Sequence, residues 1–207
     1  MLFRSEAVAV EGQVDAFAGD GDAFHAEAQN LFLPCFSGQA NVAVGAEDAV
    51  RGADGLALLD LNEAERVRAA GWRGPVLLLE GVFEPRDLEL CSRLGLWHTV
   101  HVDEQIQALS QHKTQAPHRI FLKLNSGMNR LGFAPLRYRS AWARLHALPQ
   151  VDEISHMTHF SDADGDRGIE HQLRVFEEAT RDLSGERSLA NSAALLRHPQ
   201  THADWVR

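Results

Sequence analysis

Short apolar runs alternate with amphipathic stretches from about residue 51 to residue 207. Each run is continuously apolar, which is typical of parallel strands that are buried on both faces. The stretches between the runs carry apolar residues at helical spacing, so they predict one helix after each strand. The predicted strands lie at 56–59, 76–79, 97–102, 119–124, within 151–160, at 188–191 and at 205–206.

Capping and breaking residues set the expected ends of the helices. Polar residues that cap a helix, or a proline in the first turn, precede the amphipathic stretches, and glycines follow two of them. The expected start residues are Asn62, Pro85, Asp103 and Pro135, and the expected stop residues are Gly71 and Gly95. A longer helix carries Ile169, Leu173, Phe176 and Thr180 on one face.

The regular alternation of strand and helix predicts an α/β protein. A unit of roughly 20–35 residues suits either a (β/α)8 barrel or a doubly wound sheet. No strand is followed by a GxGxxG or P-loop sequence, so the sheet that binds nucleotides is disfavoured. The number of units falls short of eight. We therefore expect an incomplete (β/α)8 barrel of the TIM type.

Charge divides the chain near residue 50. Residues 1–50 contain one basic side chain, Arg4, and eight acidic ones, which give this segment -7 of the net charge of -9. The segment also lacks sustained periodicity. We expect residues 1–50 to be a non-matching segment, disordered or artefactual, and residues 51–207 to form the partial barrel.

Composition narrows the range of partners. The chain is acidic and has no basic stripe, so we expect no nucleic-acid partner. No apolar run approaches the roughly 20 residues that cross a bilayer, so we expect no membrane partner. The two cysteines, Cys35 and Cys91, lie far apart and predict no disulfide framework. This favours a reducing, cytoplasmic location.

The segment 121–133 is the most informative in the chain. An apolar strand leads to Lys123, one of only two lysines, and a turn of small residues then precedes Arg130. A buried ammonium group must meet an anion, be modified or lose its proton, because its desolvation is costly. A lysine at a strand end whose amine reaches water remains the alternative.

Other polar residues lie where later strands are expected to end. His159 follows an apolar run, and it is either a core histidine with a hydrogen-bond partner or a site residue. Asn191 and Ser192 open a short helix, whose free N–H groups and serine hydroxyl could bind a phosphate. Taken alone, this pair is equally an ordinary helix cap.

Together these motifs resemble the alanine racemases, which use pyridoxal phosphate and have an N-terminal (β/α)8 barrel and a C-terminal β domain. The resemblance runs from about Arg51 to Arg207. Its motifs are GADGLALL at 52–59, PVLLLEG at 75–81, LKLNSGMNRLG at 122–132, MTHF at 157–160, NSAA at 191–194 and DWVR at 204–207.

The resemblance implies a role for each matching residue. Lys123 matches a lysine that is often carbamylated. Arg130 matches the arginine that this carbamate holds near the cofactor's phenolic oxygen. His159 matches a histidine in the hydrogen-bond network behind the cofactor ring. Ser192, with Asn191, matches the phosphate-binding position. Arg207 matches the arginine that hydrogen-bonds the pyridine nitrogen; because arginine stays protonated, it is a weaker aid to electron withdrawal than a carboxylate partner.

The chain also departs from the family pattern. The lysine that binds the cofactor covalently has no match, since Gln39 stands where it is expected and no lysine precedes Lys113. The second catalytic base is a tyrosine of the C-terminal domain, whereas the only tyrosine here is Tyr138, on a predicted outer helix. Racemisation needs a base on each face of the substrate carbon. We therefore expect a fragment that is inactive alone and has no covalently attached cofactor.

The resemblance further implies an alanine substrate, a homodimeric parent enzyme, and D-alanine supply to the cell wall. Two alternatives stay open. One is a non-catalytic barrel that binds pyridoxal phosphate. The other is a metal-dependent hydrolase barrel with a carbamylated lysine, for which His98, His101, His156 and His159 are the candidate ligands. Side chains at odd spacing along a strand point to opposite faces, which weighs against the metal site.

Overall fold

The computed structural model describes residues 3–4, 53–113 and 116–207. Its strands are β1 Phe3–Arg4, β2 Leu56–Leu58, β3 Val76–Leu78, β4 Trp97–Val100, β5 His118–Lys123, β6 Val151–Met157, β7 Arg187–Ser188 and β8 Trp205–Val206. Its α-helices are α1 Leu61–Ala69, α2 Asp87–Leu94, α3 Asp103–Gln111, α4 Pro135–His146, α5 Glu170–Thr180 and α6 Ser192–Arg197.

The strands form one sheet in the order β1-β8-β7-β6-β5-β4-β3-β2. Strands β2 to β8 are parallel neighbours in chain order, and β1 pairs antiparallel with β8. A helix follows each strand from β2 to β7. This is the architecture of an incomplete (β/α)8 barrel, and it confirms the predicted fold class.

Alternation along the strands separates two apolar layers. Leu77, Phe121, Met157 and Trp205 pack together on the inner face, whereas most other core residues lie between the sheet and the helices. The Trp97 ring stacks on Phe121 and meets Trp205 edge-on at 5.4 Å between ring centroids. Because β4 and β8 lie four places apart in the strand order, this contact shows that the sheet is curled.

Several predicted element ends differ from the structure. The first helix is capped by Asp60, whose carboxylate accepts from the Glu63 N–H at 2.9 Å, and not by Asn62. Asp103 makes no cap hydrogen bond and instead pairs with Arg137 and Arg144 of α4. Ion pairing with a neighbouring helix therefore outweighs the local capping preference that the sequence indicated.

Two further boundaries are shifted. The second helix begins at Asp87, two residues after Pro85, and the strand predicted at 188–191 is observed as Arg187–Ser188. The predicted division near residue 50 falls outside the described residues and stays a prediction. Cys91 is buried and unpaired, and burial raises the pKa of its thiol to about 12. None of the helices in the described segments has the length and apolar character needed to cross a bilayer.

A pair of buried histidines lies between the amino ends of β4 and β5 and the helix layer. His98 Nε2 and His118 Nδ1 are 3.3 Å apart, and the His112 ring lies 5.4 Å from that of His118. Burial, together with the neighbouring histidines, lowers the pKa of His98 to about 3 and that of His118 to about 4. The folded state therefore holds both rings neutral.

We expect the free energy of unfolding to fall between pH 6.5 and pH 4. Above the ordinary histidine pKa both states are neutral, and the stability is fully present. As the pH falls, only the unfolded chain takes up protons, which costs up to about 1.4 kcal/mol per pH unit for each histidine. Urea unfolding at pH 7.5 and pH 4.5 measures the slope. The variant His98→Gln should show a shallower one, and an unchanged slope would contradict this assignment.

Candidate active site

Lys123 is the last residue of β5 and faces the inside of the curled sheet. Its side chain is only 7% exposed. Burial lowers the pKa of the amine to about 8, and the positive charges of Arg207 and Arg130 add to this effect, while Glu80 opposes it. A minor fraction of the amine, about a tenth at pH 7, is thus uncharged and nucleophilic.

The turn after β5 is held by its own backbone and by Asn125. The Asn125 side-chain oxygen accepts from the N–H groups of Gly127 and Asn129, and the Phe133 N–H donates to the Lys123 carbonyl at 2.9 Å. Gly132 has a φ of 120°, and a Cβ there would lie 2.6 Å from the Asn125 nitrogen. The segment therefore folds back tightly over the strand end.

Arg130 projects from this turn and is exposed. Its charge acts on both Lys123 and His159, so the three side chains share one electrostatic environment. Ser126 in the same turn makes a 2.7 Å hydroxyl contact with Thr158, and the Thr158 hydroxyl donates to the Leu124 carbonyl. These contacts fix the ends of β5 and β6 against each other.

His159 lies two residues beyond β6. Its Nε2 is 3.4 Å from the Asn191 side-chain nitrogen, which also donates to the Phe160 carbonyl. Burial lowers the pKa of His159 to about 4, with further lowering by Arg207, Arg130 and Lys123. The ring is therefore neutral and accepts hydrogen bonds at physiological pH.

Asn191 and Ser192 open α6, as the sequence predicted. The Asn191 side-chain oxygen caps the helix by accepting from the Ala194 N–H at 3.0 Å. The structure thus confirms the helix cap, and it adds a contact between Asn191 and His159. A phosphate-binding role of this pair stays a prediction.

Arg207 follows β8 and points back across the strand ends. Its guanidinium donates to the Ser188 hydroxyl at 2.6 Å, to the Ser188 carbonyl at 3.1 Å and to the Thr158 carbonyl. Its backbone N–H donates to the Ala190 carbonyl. Burial lowers the pKa of this guanidinium to about 10, so the group remains charged at neutral pH. The cation is held by neutral oxygens.

The predicted site residues therefore come together at the carboxyl ends of β5 to β8. We call Lys123, Arg130, His159 and Arg207 the cation cluster. All four can carry a positive charge; the two arginines lower the pKa of Lys123, and the arginines and Lys123 lower that of His159. A site that gathers cations in this way is complementary to an anionic ligand.

The sequence analysis considered His101 only as a candidate metal ligand, but the structure places it where the charge of Lys123 acts on it. The ring is 5% exposed, and its Nε2 donates to the Glu80 carbonyl at 3.0 Å. The sequence could have indicated this placement, because His101 directly follows a strand and other site residues also lie at strand ends. The sequence alone did not indicate how its ring is oriented.

Tyr138 lies on α4, as predicted, but its hydroxyl points between the helix and the sheet. It is fully buried, contacts His156 Nδ1 at 2.8 Å and donates to the Leu122 carbonyl at 3.0 Å. Burial raises the pKa of this phenol well above its ordinary value. Tyr138 therefore does not reach the cation cluster, which lies on the other face of the sheet.

The four histidines considered as metal ligands are divided between the two faces. His101 and His159 face the strand ends, whereas His98 contacts His118 and His156 contacts Tyr138 in the helix layer. In the described parts of the chain, no three histidine, cysteine or acidic side chains converge as metal ligands. The hydrolase alternative therefore gains no support from the geometry.

The fold and the cluster define a class: a (β/α)8-type barrel with cationic side chains gathered at the carboxyl ends of its strands. Comparison with known proteins narrows this class. Residues 37–207 match the family described as alanine racemase, N-terminal domain. The chain belongs to this family, which confirms the resemblance found in the sequence. The family implies pyridoxal phosphate as the cofactor.

Relatives and solved structures agree with this assignment. The alanine racemase of Acidovorax ebreus (strain TPSY) is 76% identical over 163 residues, which make up 77% of this chain and 45% of the relative. That of Variovorax paradoxus (strain S110) is 77% identical over 161 residues, with 77% and 44% covered. The crystal structure of the biosynthetic alanine racemase from Pseudomonas aeruginosa matches with a TM-score of 0.73 and 40% identity, covering 78% of this chain and 47% of that one. The chain thus spans less than half the length of these proteins.

Proposed function

We propose that this chain forms the cofactor-binding half of an alanine racemase, an isomerase that interconverts L- and D-alanine with pyridoxal phosphate. The observation that carries the proposal is the convergence of Lys123, His159 and Arg207 at the strand ends, where their charges act on one another. The family match and the 76% identity to an alanine racemase support it.

The residues of the cation cluster fit a phosphorylated aromatic cofactor. Ser188 and Thr158 hold the Arg207 guanidinium, which would donate to the pyridine nitrogen. Ser192 and the first N–H groups of α6 offer donors to the phosphate. Arg130 would approach the phenolic oxygen, and His159 would lie behind the ring. When bound, the cofactor withdraws electrons from the α-carbon of alanine.

Lys123 is suited to carbamylation. Its pKa of about 8 leaves part of the amine uncharged, and only the uncharged amine adds to carbon dioxide. The resulting carbamate is an anion, so it replaces a repulsive charge beside Arg130 and Arg207 with an attractive one. Lys123 would then hold Arg130 in place without touching the reacting carbon.

Neither lysine of this chain is placed to bind the cofactor covalently in the family manner. Lys123 is the carbamylation site, and Lys113 is exposed beyond α3, near the amino end of β5. The opposite end of the sheet carries the cation cluster. We therefore expect this chain to hold pyridoxal phosphate without a covalent bond and not to convert alanine by itself. The second candidate function is therefore non-catalytic binding of pyridoxal phosphate.

A chimaera tests the function directly. Residues 53–207 of this chain replace the matching segment of the Acidovorax ebreus racemase, which supplies the rest of the protein. We expect conversion of L- to D-alanine within about tenfold of that enzyme, because the two chains are 76% identical over 163 residues. A folded chimaera that binds pyridoxal phosphate but shows no conversion would refute the proposal, and the 207-residue chain serves as the negative control.

We further propose that the longer protein acts in the cytoplasm, as a homodimer, and supplies D-alanine for the cell wall. The family resemblance supports each of these, as does the acidic chain with two distant cysteines. Light scattering of the chimaera during gel filtration measures the oligomeric state. A monomer that retains full activity would contradict the dimer.

A further inference from the structure

His101 lies directly beside Lys123. In the parallel pair β4 and β5, His98, Thr99 and Val100 are paired with Ile120, Phe121 and Leu122. The next step of the same register places His101 against Lys123, with both side chains on the inner face of the sheet. Burial lowers the pKa of His101, and the charge of Lys123 contributes to the lowering.

The orientation of the His101 ring is fixed by its neighbours. Its Nε2 lies 3.0 Å from the Glu80 carbonyl, which can only accept, so Nε2 carries the proton. The Gln105 side chain binds the His101 N–H at 2.8 Å and donates to the carbonyls of Glu80 and Val82. In the neutral imidazole, Nδ1 is therefore an acceptor with a fixed direction.

His101 thus offers an unmatched acceptor in the same part of the inner face as the Lys123 amine. The His101 Nδ1 is buried and has no hydrogen-bond partner in the described segments. Across the same segments, no hydrogen bond or ion pair is found for the Lys123 Nζ. Buried polar atoms are seldom left without partners, and such an atom beside a reactive group indicates a role there.

We propose that His101 is a positioning residue for Lys123, whose Nδ1 accepts a hydrogen bond from Nζ and takes up the proton released when carbon dioxide adds to the amine. The inference rests on the proposed function, in which Lys123 is carbamylated. It adds the residue that holds the amine and removes its proton.

The step balances without a further reactant. The Nζ lone pair forms a bond to the carbon of carbon dioxide, one C–O π bond breaks, and its electron pair remains on oxygen as carboxylate. One Nζ proton passes to Nδ1, which gives an imidazolium that then loses a proton to water. The remaining N–H of the carbamate donates to the restored Nδ1 lone pair, while the carbamate oxygens are left for Arg130.

Carbon-13 NMR of the 207-residue chain with labelled bicarbonate tests the proposal, because the carbamate carbon reports the modification without alanine turnover. His101→Gln keeps a donor for the Glu80 carbonyl but lacks the acceptor at the Nδ1 position. We expect about tenfold weaker apparent affinity for carbon dioxide in this variant, the value of one lost hydrogen bond to a charged or strongly polar group.

Two variants serve as matched controls. His101→Asn places an amide oxygen near the Nδ1 position and should restore the affinity to within about threefold. Thr99→Val removes a buried hydroxyl without a partner from the same face of β4 and should leave the affinity unchanged. Equal affinity in His101→Gln and the parent chain would overturn the proposal, as would equal losses in His101→Gln and His101→Asn.

A measurement on the parent chain needs no substitution. The nitrogen-15 resonance of His101 Nδ1 should shift when unlabelled bicarbonate is added, while the resonances of His118, at the amino end of β5, stay constant. Absence of any carbamate at saturating bicarbonate also overturns the inference. A chimaera that racemises alanine with Lys123 unmodified would refute His101's role and leave the proposed function standing.

Discussion

Replacing Arg207 with methionine should raise the pKa of Lys123 from about 8 towards its ordinary value of 10.5. Arg207 is the neighbouring charge that lowers this pKa most, after burial itself. Removing a nearby positive charge makes protonation of the amine easier, so the sign of the shift is upward. The chain has only two lysines, so NMR titration of the side-chain resonances assigns the shift without ambiguity.

The same substitution should weaken the binding of pyridoxal phosphate by about 10- to 100-fold, the range for a lost hydrogen bond to a charged group. Arg197→Met is the matched control, because Arg197 is exposed on α6 and donates only to the Asp164 carbonyl. Unchanged affinity in Arg207→Met would show that the cofactor lies elsewhere. The titration and the binding assay are both carried out at a temperature at which both variants are folded.

Replacing Gly81 with alanine should destabilise the fold by about 2–5 kcal/mol, from backbone strain and overpacking together. Gly81 follows Glu80 and has a φ of 74°, and a Cβ there would lie 2.0 Å from the Thr99 carbonyl oxygen and 2.8 Å from the Gln105 side chain. The clash falls on the backbone of β4, which has little freedom to move. Urea unfolding followed by circular dichroism measures the loss.

Gly95→Ala separates the two causes. Gly95 also has a left-handed backbone, with a φ of 59°, but a Cβ there would meet nothing within 4 Å. We expect a loss of only about 1–2 kcal/mol, which is the conformational cost alone. Equal losses at both positions would mean that the close packing of Gly81 against β4 contributes nothing. The Gly81 variant should also disturb His101, since Gln105 contacts both.

The arrangement of the barrel could be predicted from the sequence because it depends on repeated, local signals. The apolar runs around Leu77 and Phe121 are continuous because both faces of these strands are buried. Such a pattern can be recognised in a single sequence. Lys123 could be recognised as a site residue in the same way, since a lone lysine at the end of such a run is rare. These features depend on residue type and spacing alone.

Other features depend on contacts between distant segments. Asp103 looked like a helix cap, but Arg137 and Arg144 reach it from a helix more than thirty residues later. His101 was considered only as a metal ligand, because nothing near it in the sequence reveals that the Glu80 carbonyl fixes its ring and that Nδ1 is buried without a partner. Pairings of this kind come from the register of β3, β4 and β5, which the sequence does not specify.

The most direct test of the account is the binding of pyridoxal phosphate to the purified 207-residue chain, followed by absorbance and then by borohydride reduction and peptide mapping. The cation cluster predicts saturable, reversible binding of one equivalent, abolished or strongly weakened in Arg207→Met, with no reduced adduct on either lysine. Failure to bind the cofactor at all, or a stable reduced adduct on Lys113 or Lys123, would contradict it.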